Sequence, residues 1–210
     1  MIYRSRLSLP SLVLAPLYAL GALCSPGCSN SPQRIAPPSV DPKAAAAAIT
    51  AFDSNSDGEL EETELDQSPP LRAALPRIDT NGDRRISSDE LNQRLVAWQD
   101  SRVGLMPVTL RIKLAGKPLA DATVRLVPEE FLGPNIKPAE GTTNKHGVAV
   151  MQISNEPDER GVQSGFYRIE ISKAGSPGAV PARYNTDTQL GMEVEPHSPE
   201  SRDANFDLAP

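Results

Sequence analysis

Asp53-Ser54-Asn55-Ser56-Asp57-Gly58-Glu59-Leu60-Glu61-Glu62-Thr63-Glu64 is the stretch that decides how the first half of this chain folds. Oxygen-bearing side chains stand at its first, third, fifth and ninth places, as Asp53, Asn55, Asp57 and Glu61, and Glu64 closes it at the twelfth. Alternate spacing turns several of these oxygens toward one centre, which suits a hard cation seeking about seven oxygen donors. The backbone carbonyl of Glu59, at the seventh place, adds another donor. Gly58, at the sixth, permits a sharp turn at positive φ that a Cβ resists.

The pattern returns 26 residues later as Asp79-Thr80-Asn81-Gly82-Asp83-Arg84-Arg85-Ile86-Ser87-Ser88-Asp89-Glu90. Asp79, Asn81, Asp83, Ser87 and Glu90 take the corresponding places, and Arg85 offers its carbonyl. Both stretches resemble the calcium loop of EF-hand proteins, so Ca2+ is the expected cofactor. In that family Leu60 and Ile86, at the eighth places, would join the loops through a short β-bridge. Loop two departs from the pattern at Arg84, which stands in the glycine place at a left-handed backbone cost of about 1–2 kcal/mol. Loop one carries six acids and no base, whereas loop two carries four acids and two arginines, giving side-chain charges of −6 and −2. The second site is therefore expected to be the weaker.

Apolar residues at helical spacing flank the loops: Ile49 and Phe52 before the first, Leu71, Leu75 and Ile78 before the second, and Leu91, Leu95 and Trp98 after it. Only 14 residues, including Pro69, Pro70 and Pro76, join the two loops. That spacing is similar to compact EF-hand pairs of exported bacterial proteins. All four methionines, Met1, Met106, Met151 and Met192, lie outside residues 43–100, so the methionine-lined groove of a calcium sensor is not expected.

The front of the chain reads as an export signal, with Arg4 and Arg6, an apolar run from Leu7 to Leu23, and small residues before cysteine. A membrane span is the competing reading, but Pro10 and Pro16 break the run, which falls short of about 20 apolar residues. The only cysteines are Cys24 and Cys28, so disulfides within the folded part are excluded. Ser25-Pro26-Gly27-Cys28 resembles a bacterial lipoprotein site, which implies lipidation at Cys28; Cys24 and a released, soluble form are the alternatives. Residues 1–28 are thus expected to be the signal, and 29–42, with Pro32, Pro37, Pro38 and Pro42, a proline-rich linker.

Residues 43–102 read as the helical pair. By 106–210 the texture has changed to alternating, β-branched segments such as Val108-Thr109-Leu110-Arg111-Ile112-Lys113-Leu114. Further strands are expected at 122–127, 147–153, 165–172, 190–195 and 205–208. The fold class is α+β multidomain: a small helical EF-hand pair followed by an antiparallel immunoglobulin- or transthyretin-like β-sandwich. Gly116-Lys117-Pro118-Leu119-Ala120-Asp121-Ala122-Thr123-Val124, Thr142-Thr143-Asn144-Lys145-His146-Gly147-Val148-Ala149 and Gly165-Phe166-Tyr167-Arg168-Ile169-Glu170-Ile171 resemble transthyretin-like or carboxypeptidase-regulatory-like sandwiches. Pro181-Ala182-Arg183-Tyr184-Asn185-Thr186-Asp187-Thr188 is similar to a loop of exported proteins of planctomycete type. It reads as a turn in which Asn185 and Asp187 bond their own backbone, or as a polar ligand contact.

Composition excludes several classes. An acidic chain, with net charge −6 that becomes −8 once Arg4 and Arg6 leave with the signal, lacks the positive footprint nucleic acid requires. His146 and His197 are the only histidines, and neither a histidine pair nor a Gly-x-Ser-x-Gly elbow is present. Carboxylates are plentiful, yet aromatics make up 4% of residues, too few for the platforms of a sugar-cleaving cleft. The expectation is a non-enzymatic, calcium-binding protein of the cell envelope or periplasm with a structural or partner-binding role. Its partner would be an envelope protein or polysaccharide, with membrane contact only through a lipid anchor. A calcium-dependent accessory subunit of an envelope enzyme or transporter is the alternative.

Overall fold

The computed structural model describes residues 37, 39–154, 160–175, 180–198 and 203–210. The expected signal at 1–28, with Cys24 and Cys28, and most of the proline-rich linker lie outside the described residues. Among the described residues, no helix is long and apolar enough to cross a membrane.

The first half alternates helices with acidic loops. Helix α1 (Ala44–Phe52) leads into a loop that ends in the two-residue strand β1 (Glu59–Leu60) and the single turn α2 (Glu62–Leu65). Helix α3 (Pro69–Ile78) follows at once, with Pro69 and Pro70 at its first positions, where a missing N–H costs nothing. A second loop then ends in β2 (Ile86–Ser87) and α4 (Ser88–Asp100). Strands β1 and β2 pair antiparallel, Glu59 opposite Ser87 and Leu60 opposite Ile86, and both apolar partners are fully buried.

The second half is β-rich. Its strands are β3 (Val108–Leu114), β4 (Lys117–Pro118), β5 (Thr123–Pro128), β6 (Ala139–Thr142), β7 (Val148–Ile153), β8 (Gly165–Ser172), β9 (Gly191–Val194) and β10 (Asp203–Leu208). They form one curled sheet in the order β10-β3-β7-β6-β5-β8-β9, with β4 as a short hairpin partner of β3. Pairing is antiparallel throughout except at one edge, where β10 runs parallel to β3, so the expectation of an all-antiparallel arrangement needs that correction. A parallel return of this kind closes the edge of β3 with the last strand of the chain. Strands β4 and β6 were not foreseen from the sequence.

Turn chemistry fixes the register of the β6–β7 hairpin. Asn144 Oδ1 accepts the N–H groups of His146 (2.8 Å) and Val148 (3.2 Å), and Gly147 sits at φ +73°. A Cβ on Gly147 would lie 2.3 Å from the carbonyl oxygen of Ile112, so the hairpin could not close against β3 with any other residue there. The 181–188 segment is tied to the chain's end: Arg183 donates to the carbonyls of Ala209 (3.0 Å) and Pro210 (2.7 Å), and the Ala209 N–H donates to the Tyr184 hydroxyl (3.1 Å).

One hydrophobic core runs from Leu60, Leu71, Ile86 and Leu91 into Val108, Leu110, Ile112, Phe166 and Val194. Strand β8 shows why. Tyr167, Ile169 and Ile171 share one face of the sheet and are fully buried, yet Phe166, on the opposite face, is fully buried as well. Helix α4 covers Phe166 there, with the Trp98 ring 4.7 Å away. Gly191 lets α3 approach β9: a Cβ there would stand 2.2 Å from the Pro70 nitrogen. The end of the proline-rich segment joins the same body, since Val40 is buried and Asn135 Nδ2 donates to the Ser39 carbonyl (3.1 Å).

Candidate metal centre

Backbone N–H groups hold the acidic side chains of loop one in place. Asp53 accepts from Ser56 N–H (2.6 Å) through Oδ1 and from Gly58 N–H (2.9 Å) through Oδ2. Asn55 Oδ1 accepts from Asp57 N–H (2.8 Å), and Asp57 Oδ1 from Glu59 N–H (3.0 Å). Glu64 reaches back over the loop, taking Ser54 N–H (2.8 Å) and Asn55 N–H (3.2 Å) on Oε1 and Glu61 N–H (3.0 Å) on Oε2.

Loop two repeats six of these seven backbone bonds, all but the one from the third-place N–H to the closing glutamate. Asp79 accepts from Gly82 N–H (2.6 Å) and Arg84 N–H (2.9 Å), Asn81 from Asp83 N–H (2.8 Å), and Asp83 from Arg85 N–H (2.8 Å). Glu90 takes Thr80 N–H (3.0 Å) on one oxygen and Ser87 N–H (3.1 Å) on the other. Both closing glutamates also complete a capping box at the start of the helix that follows, α2 or α4. Their oxygens therefore serve the fold as well as any ligand.

Electrostatics follow from these bonds. The Glu61 N–H is the largest influence on Glu64 and, with the Ser54 and Asn55 donors, holds its carboxyl below the ordinary glutamate range against the opposing effect of burial. For Glu90 burial is the largest single influence and pushes upward, but the donors of Ser87 and Thr80 together outweigh it, so this carboxyl is also held low. Both groups are buried, at 2% and 6% exposure, and both stay anionic.

The donor set fits a hard divalent cation. Asp53, Asn55, Asp57, Glu61 and Glu64, with the Glu59 carbonyl, are all oxygen donors around one loop. Asp79, Asn81, Asp83, Ser87 and Glu90, with the Arg85 carbonyl, match them around the other. Among the described residues, no three His, Cys, Asp or Glu side chains already converge as a metal cluster.

No family model, no curated protein and no solved structure matches the chain. Function is therefore carried by residues and geometry alone.

Three features of the site were not foreseen. The first is backbone strain shared between the loops. Arg84 does sit at φ +65°, in the place where loop one has Gly58 at φ +89°. Two residues earlier the roles reverse: Ser56 is at φ +62° where loop two has Gly82 at φ +81°. Each loop thus carries one glycine and one strained residue, so strain no longer separates them.

The second is the direction of Arg85. Its backbone belongs to loop two, but its guanidinium lies on loop one, 3.1 Å from Asp57 Oδ2, 3.2 Å from Glu59 Oε2 and 3.8 Å from Glu61 Oε2. In space, one positive charge moves from the less acidic loop to the more acidic one. The charge contrast between the sites narrows accordingly.

The third is Glu193 on β9, whose side chain is fully buried. It accepts from Arg77 Nε (2.9 Å), from Arg94 through Nε (2.6 Å) and Nη2 (3.0 Å), and from Trp98 Nε1 (2.9 Å). Arg77 lies in the last turn of α3 and Arg94 and Trp98 in α4, so one carboxylate grips both helices that flank loop two. In the sequence, Glu193 lies within the strand expected at 190–195, which gives it no partner. Helical spacing of Arg94 and Trp98 was the available signal, but nothing local pairs them with a distant strand.

Loop one has its own path into the core. Phe52, next to Asp53, meets Phe131 edge-on at 6.3 Å, and Phe131 lies 6.2 Å from Phe166. A cavity of about 320 Å3 lies beside these rings, lined also by Glu129 and Arg168. Burial pushes the Glu129 carboxyl above its ordinary range, although Ser68 Oγ (2.8 Å) and Arg168 (3.1 Å) oppose this.

Proposed function

We propose that this protein binds two calcium ions, one in each loop, as an exported, non-enzymatic component of the cell envelope. The calcium ligands are Asp53, Asn55, Asp57, Glu59, Glu61 and Glu64 in the first loop, and Asp79, Asn81, Asp83, Arg85, Ser87 and Glu90 in the second. The observation that carries the reading is the recurrence, at the same places of both loops, of six backbone hydrogen bonds that seat the first, third, fifth and twelfth side chains, although the loops are built from different residues. Such recurrence is what a shared ligand geometry would require.

The role is structural rather than that of a sensor. Sensor hands work by swinging apart the helices that flank a loop, and here Glu193 ties Arg77 of α3 to Arg94 and Trp98 of α4. Opening would strand a buried carboxylate without its partners, which costs several kcal/mol. Bound calcium instead offsets the mutual repulsion of the loop carboxylates and stiffens the helical layer against a β-rich body of transthyretin-like type. That body presents its remaining surface to an envelope protein or polysaccharide.

Calorimetric calcium titration of the full chain tests the reading, with Glu64→Gln and Glu90→Gln as controls. Two bound ions are expected, one lost in each variant, with dissociation constants on the order of 10⁻⁴ to 10⁻³ M as in extracellular modules. Absence of both binding heat and a calcium-dependent rise in melting temperature would overturn it.

A further inference from the structure

We infer that Arg85 is the resident counter-ion of loop one and sets the affinity of that loop for calcium, a reading that rests on the calcium sites proposed above. Three observations converge on it. The side chain touches Asp57 and Glu61, two of the ligands of loop one, and Glu59, whose carbonyl is a third donor. Its position is enforced by backbone: Arg85 N–H is fixed on Asp83 Oδ1 (2.8 Å), and the next residue, Ile86, is locked opposite Leu60 in the β1–β2 pair. Arg85 directly precedes β2 and Glu61 directly follows β1, so the pairing of the two strands brings the guanidinium to the acidic face of the other loop. Arg84, one residue earlier, provides a natural comparison, since its side chain makes no hydrogen bond or ion pair among the described residues.

Physical consequences follow with definite sign. Without calcium, six acids of loop one repel one another, and a guanidinium shared by three of them lowers that repulsion. With calcium, the same positive charge stands beside a divalent ion and competes for Asp57 and Glu61. Arg85 therefore stabilises the empty loop and weakens the filled one. Because its carbonyl is also the seventh-place donor of loop two, a single residue touches both sites, and filling one alters the charge held at the other. The arrangement brings the affinities of a −6 loop and a −2 loop closer than their sequences imply.

The test uses the full chain in the Glu90→Gln background, where loop one alone binds. Adding Arg85→Gln is expected to tighten calcium binding about three- to tenfold at low salt, the range of a single screened surface charge, with the gain shrinking as salt is raised. Arg84→Gln in the same background is expected to change loop-one affinity less than twofold, by about the scale of a more distant screened charge. In chelator, Arg85→Gln is expected to lower the melting temperature, and Arg85→Lys to keep most of the wild-type affinity and stability. An Arg85→Gln protein that binds calcium no tighter, or no tighter than Arg84→Gln, overturns the inference. If the wild-type chain itself takes up no calcium, the calcium reading falls and this one with it, and the silent wild type tells that failure apart.

Discussion

Glutamates meet two different fates in this molecule. Glu193 is wholly buried and surrounded by cations and an indole donor, whereas Glu64 and Glu90 are buried under neutral backbone N–H groups at the ends of exposed acidic loops. A carboxylate whose charge is already matched by Arg77 and Arg94 has nothing left to offer a metal, and becomes a clasp. Carboxylates held in shape by N–H donors keep their full charge, and can become ligands. The same side chain is thus structural or functional according to whether its neighbours bring a cation.

The largest expected effect lies on the clasp. Glu193→Ala should cost about 3–5 kcal/mol, because it removes the buried anion that Arg77, Arg94 and Trp98 share and leaves Glu195, 3.7 Å from Arg94, as a more distant partner. Denaturant midpoints with and without calcium measure it. The loss should be similar in both, since the calcium sites proposed above lie on the loops and not on β9. A loss rescued by calcium would mean that the loops and the clasp are one unit, and the contrast drawn above would break.

The acid limb sharpens the comparison at an intermediate scale. Glu64 and Glu90 have folded pKa values below the ordinary glutamate value of 4.5, so their contribution to stability is present above that pH and is lost as pH falls through the folded values. Glu129, raised by burial, has the opposite sign: its contribution is present below 4.5 and is lost as pH rises through its folded value. In calcium-free buffer, the stability difference between wild type and Glu64→Gln should therefore change with pH below 4.5 and be flat above it. For Glu129→Gln the change should fall above 4.5. If both differences moved in the same window, the opposed environments assigned to these carboxyls would be wrong.

Much of this was legible in the sequence because its determinants are local. The spacing within each acidic loop marks the side chains that take its own backbone N–H groups, and the strands that alternate β-branched residues, β3, β7 and β8, lie where the alternation placed them. Strand β6 escaped because Ala139-Glu140-Gly141-Thr142 has one β-branched residue, at its end, and no apolar alternation; it is a strand because β5 and β7 flank it. The parallel seat of β10, the grip of Glu193 and the reach of Arg85 all join residues distant in the chain, or depend on the direction of one side chain. Periodicity carries no information about either.

The smallest expected effect bears most directly on how the loops compare. Sequence spacing marks only Arg84 as a strained occupant of a glycine place, and so predicts that Arg84→Gly alone would stabilise. Backbone angles place Ser56 under the same constraint, at φ +62° against +65° for Arg84. Relief of a left-handed residue is worth about 1–2 kcal/mol, and the freer unfolded chain of a glycine takes back about 0.4–1 of it. Arg84→Gly and Ser56→Gly should then each raise calcium-free stability by roughly 0.5–1 kcal/mol, and the double variant by about the sum, because distinct loops with no shared partner add. Equal gains would mean that strain burdens both sites alike, leaving charge, and Arg85 within it, to set their order. A gain at Arg84 alone would restore the handicap to loop two and make it the weaker site for a reason independent of charge.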